Sequence, residues 1–164
     1  MRKIWMLGIT MLIVGIVTLT AAFAQGAHDL VGTWTLVSAI TDKEGTKSDI
    51  FGPNAKGMLV FDANHHYVIA FTSATLPKFS SNNRGNATAD ENKAIVRGSL
   101  AHFGTYTVDE ANKSFSFHIE SATFPNWNGT EQKRSFVISG DELKFTDPHA
   151  SAGGVGTIIF KRAR

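Results

Sequence analysis

The sequence predicts an all-β protein: eight short strands in up-and-down order, closed into an antiparallel β-barrel with one short helix. Three observations lead there. Segments of alternating apolar and polar residues recur along the chain, bounded by Gly, Asn, Asp or Pro. Only one stretch has a helical period, and no long crossover separates the strands, so neighbours pair antiparallel. Closure then removes the exposed edges that an open sheet of this kind would carry.

Taken in order, the chain starts with Arg2 and Lys3 before an apolar run from Ile4 to about Ala22, and Ala22-Phe23-Ala24 offers small residues at the two positions a signal peptidase reads. The expectation is a signal peptide over residues 1–24, cleaved after Ala24, and export to a periplasm or to the exterior. The run is nearly long enough to cross a bilayer. The small-x-small end and the polar Gln25-Gly26 favour removal, which leaves no stable membrane span. Of 164 residues, 140 then remain as a single domain over residues 25–164.

The first strand opens at Gly32-Thr33-Trp34 and alternates through Leu36, Ser38 and Ile40. A glycine at a strand start admits close approach of another backbone, and a tryptophan two positions on can plug a barrel end. A polar loop through Asp42-Lys43-Glu44-Gly45 follows, and Phe51-Gly52-Pro53-Asn54-Ala55-Lys56-Gly57 must turn. Residues 56–62 and 66–73 read as a hairpin around Ala63-Asn64-His65, with Tyr67, Ile69 and Phe71 on one face. Residues 76–88, rich in Ser, Asn and Gly, read as a mobile loop. Ala89-Asp90-Glu91 opens the helix, its acidic residues in the first turn, and the helix extends to Leu100 as a lid or plug.

The second half returns to strands over 102–109, 114–121, 131–138, 141–147 and 155–162. In the second of these Phe115, Phe117 and Ile119 alternate with Ser116, His118 and Glu120, one face apolar and the other wet. Ser139-Gly140 makes a tight hairpin.

Composition bounds the function. There are 16 Lys+Arg against 14 Asp+Glu, and losing Arg2 and Lys3 leaves 14 of each. A formally neutral domain with no basic, aromatic-studded face gives no reason to expect nucleic acid as a partner. With no cysteine, an exported chain holds itself by its apolar core, and eleven phenylalanines after the expected cleavage site, of twelve in all, supply that core or line a cavity.

Three stretches, Leu30-Val31-Gly32-Thr33-Trp34-Thr35-Leu36-Val37-Ser38, Phe51-Gly52-Pro53-Asn54-Ala55-Lys56-Gly57-Met58-Leu59 and His102-Phe103-Gly104-Thr105-Tyr106-Thr107-Val108, together resemble the bacterial lipocalin-like domain family. Weaker echoes run through Trp127-Asn128-Gly129, Arg134-Ser135-Phe136 and Gly140-Asp141-Glu142-Leu143 to Arg162. The resemblance spans the expected mature domain and implies a lipocalin-like barrel, while a fold alone assigns no activity. It also implies a structural role for Gly32 and Trp34 with an arginine packed over the indole, Arg162 or else Arg134. The chain departs from the family pattern at Ala63-Asn64-His65-His66, where Asp-Gly is common, and at Phe103.

Candidates for chemistry are few. His65-His66 lacks partners at ligand spacing, so no metal is expected, and no nucleophile elbow or phosphate loop is present, so neither a catalytic residue nor a cofactor is assigned. Parity is more informative. If Phe136 and Ile138 face inward, so does Arg134; if Tyr106 and Val108 do, so do His102 and Gly104. Tyr67, Phe71, Phe117 and Phe136 would then wall a cavity with His102, Tyr106 and Arg134 as its polar groups. Arg134 could instead lie at the mouth or pair with Glu120 or Asp141. Three functions stay open. The favoured one is an exported carrier of a small apolar or amphipathic molecule. The others are an isomerase- or cyclase-type enzyme using His102 or Tyr106, and a filled, ligandless envelope domain. The oligomeric state is not legible.

Overall fold

Residues 26–164 are described by a computed structural model, and the signal peptide expected over residues 1–24 lies outside them. The described residues form nine strands in chain order: β1 (Gly32–Lys43), β2 (Thr46–Asp49), β3 (Lys56–Phe61), β4 (His66–Thr72), β5 (Ser99–Asp109), β6 (Ser114–Ala122), β7 (Glu131–Ser139), β8 (Glu142–Asp147) and β9 (Val155–Arg162). Eight of them, all but β2, follow one another up and down. β9 returns to β1, paired from Trp34↔Arg162 to Asp42↔Val155, and closes the barrel.

The ninth strand corrects the polar loop expected after Ile40. β1 continues to Lys43, and β2 folds back on Ile40–Lys43 after a turn in which the Gly45 N–H donates to Asp42 Oδ1 at 2.9 Å. All four β2 residues are exposed, so backbone pairing alone makes the strand and no apolar alternation announces it. A bulge between Leu36 and Ser38 also resets β1. It leaves Val37 as the extra residue opposite β9, exposed, and makes Ala39 and Thr41 the inward residues, where simple alternation puts Ser38 and Ile40. The outer face of β6 is not wet throughout: Ser114 and Ser116 are buried. Lys133 on β7 and Asp109 on β5, the strands flanking β6, meet at 3.5 Å, and these small serines fit beside that ion pair.

Among the described residues two α-helices accompany the barrel. The expected one, α2 (Ala89–Gly98), starts with a capping box between Thr88 and Glu91 but ends at Gly98, so Leu100 belongs to β5. Residues 76–88 before it contain one 3₁₀ turn, Arg84–Asn86, and are tied down where Glu91 Oε1 accepts from the Ser80 N–H at 2.7 Å. The other helix, the single turn α1 (Ala27–Leu30), was not read from the sequence. It covers the end of the barrel formed by the β3–β4, β5–β6 and β7–β8 turns, and the Ala27 N–H donates to Glu110 Oε1 at 2.8 Å. Among the described residues no helix is long and apolar enough to cross a membrane.

Under α1 the barrel is solid. Trp34 and Leu30 are fully buried, and the indole N–H donates to the Leu30 carbonyl at 2.8 Å. Arg162 lies over the indole at 4.1 Å and donates to the carbonyls of Val31 and Asp29. The absent side chain of Gly32 makes room for it, since a Cβ there would stand 2.8 Å from Arg162 Nη1. Phe61, Tyr106, Phe115 and Phe117 pack above this layer with centroid separations of 4.6 to 6.0 Å.

Candidate functional site

The other end is roofed by longer segments: residues 50–55, the stretch with α2, the β6–β7 loop with its 3₁₀ turn Pro125–Trp127, and residues 148–154. Phe51 turns inward from the first of these and stacks on Phe71 at 5.0 Å. Below them β4, β5, β7 and β8 bring four polar side chains into the barrel, and the register explains which.

Ile69 pairs with His102 and Tyr67 with Gly104, so Tyr67 and His102 share the interior face of adjacent strands. Their side chains meet, Tyr67 Oη to His102 Nδ1, at 2.8 Å. Gly104 lets β6 press close, because a Cβ there would come within 2.0 Å of the His118 carbonyl oxygen. A register shift between Phe103 and Gly104 leaves Glu120 as the extra residue of β6, on the exposed face. Trp127 and Phe117 present edges to the imidazole at 5.5 and 5.4 Å. Burial, with the positive Arg134 adding to it, pushes the His102 pKa down to about 3, and burial pushes the Tyr67 phenol up. The pair is therefore neutral near pH 7, and His102 Nε2 has no hydrogen-bond partner among the described residues.

Arg134 on β7 and Asp147 at the end of β8 form the second pair, Nη2 to Oδ2 at 3.1 Å, with side chains only 5% and 9% exposed. Arg134 also donates to Gln132 Oε1 and to the Lys133 carbonyl, and Asp147 accepts from the His149 N–H at 2.9 Å. Burial pulls the guanidinium pKa down, Asp147 opposes that shift, and the group keeps its charge. The partners weighed from sequence are otherwise placed: Glu120 is exposed, and Asp141 accepts from Arg164 at 2.9 Å.

His102, Arg134 and Asp147 border a chamber of about 40 Å³ whose lining also includes Phe71, Leu100 and Trp127, with Phe117 and Phe145 on its wall. Its lining residues Ile50, Phe51, Leu100 and Ser151 also border a groove of about 470 Å³, lined as well by Ile95, Val96 and Phe124. The barrel is thus neither hollow nor solid: one half is filled, and the other keeps a small chamber beside an apolar groove.

Phe71, His102, Phe117 and Arg134 line the chamber, while three residues grouped with them from sequence do not. Tyr67 stands behind His102. Tyr106 sits toward the closed end, its hydroxyl donating to the Asp62 carbonyl at 2.9 Å, and Phe136 packs on Phe115 in the filled half. Sequence reading missed Asp147, although inward Leu143 and Phe145 put it on the same face. It also missed Ile50, Phe51, Phe124 and Trp127, which stand on loops where no period operates. Among the described residues no group of three or more His, Asp or Glu side chains could hold a metal ion.

No curated protein matches the chain. A solved structure described as a REP1-NXSQ fatty acid transporter is similar at 12% identity and a TM-score of 0.40, over 84% of this chain and 98% of that one. The model of the lipocalin-like domain family matches residues 31–161, which take in the barrel strands but for Arg162, the last residue of β9. The chain belongs to the lipocalin-like domain family.

Proposed function

We propose that this protein is an exported carrier that binds one small apolar or amphipathic molecule at the open end of its barrel. The apolar part occupies the groove beside α2, and the polar end enters the chamber bordered by His102 and the Arg134–Asp147 pair. The observation that carries this reading is that Ile50, Phe51 and Leu100 wall both spaces, so that the groove and the chamber lie against each other. An apolar groove of about 470 Å³ is of the size that takes small ligands, and a few polar groups at its deep end would fix orientation. A role as acid–base catalyst gains no support from the Tyr67–His102 pair, because a histidine held neutral down to about pH 3 is far from the poise a general base needs.

The test is native mass spectrometry of the protein purified from its own compartment, with identification of any released molecule, followed by calorimetric titration. A retained apolar molecule, and loss of its binding in Leu100→Trp at unchanged fold, is the expected result. A clean apo mass with no binding across alkanols, sterols and aromatic acids would leave a ligandless barrel. N-terminal sequencing of the same preparation tests export: a chain starting at Gln25 is expected, and one starting at Met1 refutes processing.

A further inference from the structure

We propose that the polar end of the ligand is an uncharged hydroxyl, so that the barrel selects an apolar alcohol over the carboxylate or ammonium of the same skeleton. This rests on the reading of the open end as a binding site and adds the chemical class of its occupant.

The charges of the chamber already cancel. Arg134 is paired with Asp147 at 3.1 Å, and its other bonds go to Gln132 and the Lys133 carbonyl. An incoming carboxylate would find a guanidinium already engaged and a buried carboxylate beside it. An ammonium would meet Arg134 in the same way. Either brings a third charge into a space whose two ions are less than a tenth exposed, and burying an uncompensated charge costs more than a neutral hydrogen bond returns.

What the chamber offers is a neutral partner. His102 is 5% exposed, lines the chamber, and has Nδ1 engaged by Tyr67 while Nε2 lacks a partner among the described residues. If Tyr67 donates to Nδ1, Nε2 carries the proton and donates; if Nδ1 donates to Tyr67, Nε2 accepts. A hydroxyl satisfies both cases because it can accept or donate, whereas an ether or ketone satisfies only the first. The chamber of about 40 Å³ has room for a head group of a few atoms, and the groove beyond it is left for the chain.

The experiment is calorimetric titration of the full mature protein near neutral pH with octane, 1-octanol, octanoate and octylammonium, four ligands with one tail. The expected order places 1-octanol at least about tenfold tighter than either ion, the scale of one unsatisfied polar group. Octanoate or octylammonium binding as tightly as 1-octanol would overturn the hydroxyl assignment and leave the carrier reading intact. Failure of all four to bind would overturn both. In His102→Phe the advantage of 1-octanol over octane should vanish while octane still binds; an advantage that survives would refute His102 as the recognising group. If that variant does not fold, Asp147→Asn carries the test: with Arg134 unpaired, octanoate should become the preferred ligand and raise the melting temperature. Unchanged rejection of octanoate there would show that charge balance does not set the selectivity.

Discussion

The two ends of this barrel are built from the same alternating strands and differ in what meets between them. At the closed end the inward residues are rings. Trp34 is held by Leu30 above and Arg162 across it, and Phe61, Tyr106, Phe115 and Phe117 stack in the next layer. At the open end the inward positions of β5, β7 and β8 carry His102, Arg134 and Asp147, and the roof comes from loops and α2. Rings fill space without needing partners. Polar groups must be satisfied, and the geometry that satisfies them keeps neighbouring side chains from collapsing into the gap.

The largest expected effect breaks the filled half. Trp34→Ala removes the largest buried ring, leaves the Leu30 carbonyl without its donor and strips Arg162 of the face it covers. Loss of about 4 to 5 kcal/mol is expected, at the upper end for an aromatic core residue, read from urea unfolding. A loss below about 1.5 kcal/mol would mean that the closed end is not the packed one.

Next comes the charge pair of the open half. Asp147→Asn keeps the shape of the side chain but leaves Arg134 buried without a counter-ion, which should cost about 3 kcal/mol in the same assay. Replacing both residues together, Arg134→Met with Asp147→Leu, should recover most of that loss, because no charge is then stranded. A double variant as unstable as the single one would show that packing rather than charge sets the cost.

Acidification separates the two ends by titration. The folded His102 pKa, about 3, lies below its ordinary value of 6.5, so the unfolded chain takes up a proton that the folded barrel refuses. The sign follows: stability is full above pH 6.5 and falls by up to about 1.4 kcal/mol per pH unit as pH drops through the window toward 3. Asp62, Asp109 and Glu91 are also lowered, chiefly by hydrogen bonds donated by the His66 backbone, the Asn112 side chain and the Ser80 backbone respectively. Their contribution is lost only below their ordinary values of 3.8 to 4.5. Urea midpoints of wild type and His102→Phe at pH 6.5 and 5 therefore isolate the histidine. A slope unchanged by the substitution would refute its burial as the cause.

How far this contrast could be read from sequence depends on whether a position obeys a period. Tyr67, Ile69 and Phe71 on β4 alternate without interruption, and the barrel follows from such runs because period 2 with one apolar face leaves few other folds. The bulge at Val37 erases that logic locally: one inserted residue turns Ala39 and Thr41 inward, and nothing in the run Leu36-Val37-Ser38 marks the slip. β2 was invisible because Thr46–Asp49 is polar on both faces and depends on a partner strand. For the open end, parity identified His102 and Arg134 as inward facing but could not tell depth, so Tyr106 and Phe136 were grouped with them although they stand a layer away toward the closed end. Phe51, Phe124 and Trp127 are brought together by loops whose paths no alternation specifies.

The smallest effect on stability should coincide with a clear effect on binding. Phe124 bounds the outer groove at 36% exposure and touches Trp127 edge to face at 5.6 Å, so its ring rests on the roof of the open end rather than in the core. Phe124→Ala should cost less than about 1 kcal/mol in urea unfolding, because most of what it loses is a half-wet contact. If the groove holds the apolar part of a ligand, the same substitution removes part of its wall and should weaken 1-octanol several-fold. A residue of equal size at the closed end, Phe61, is 1% exposed, and its replacement by Ala should cost several kcal/mol while leaving the affinity of the surviving folded protein unchanged. Equal stability losses at the two phenylalanines would erase the distinction between a filled half and a grooved one; loss of affinity at Phe61 but not Phe124 would reverse which end receives the ligand.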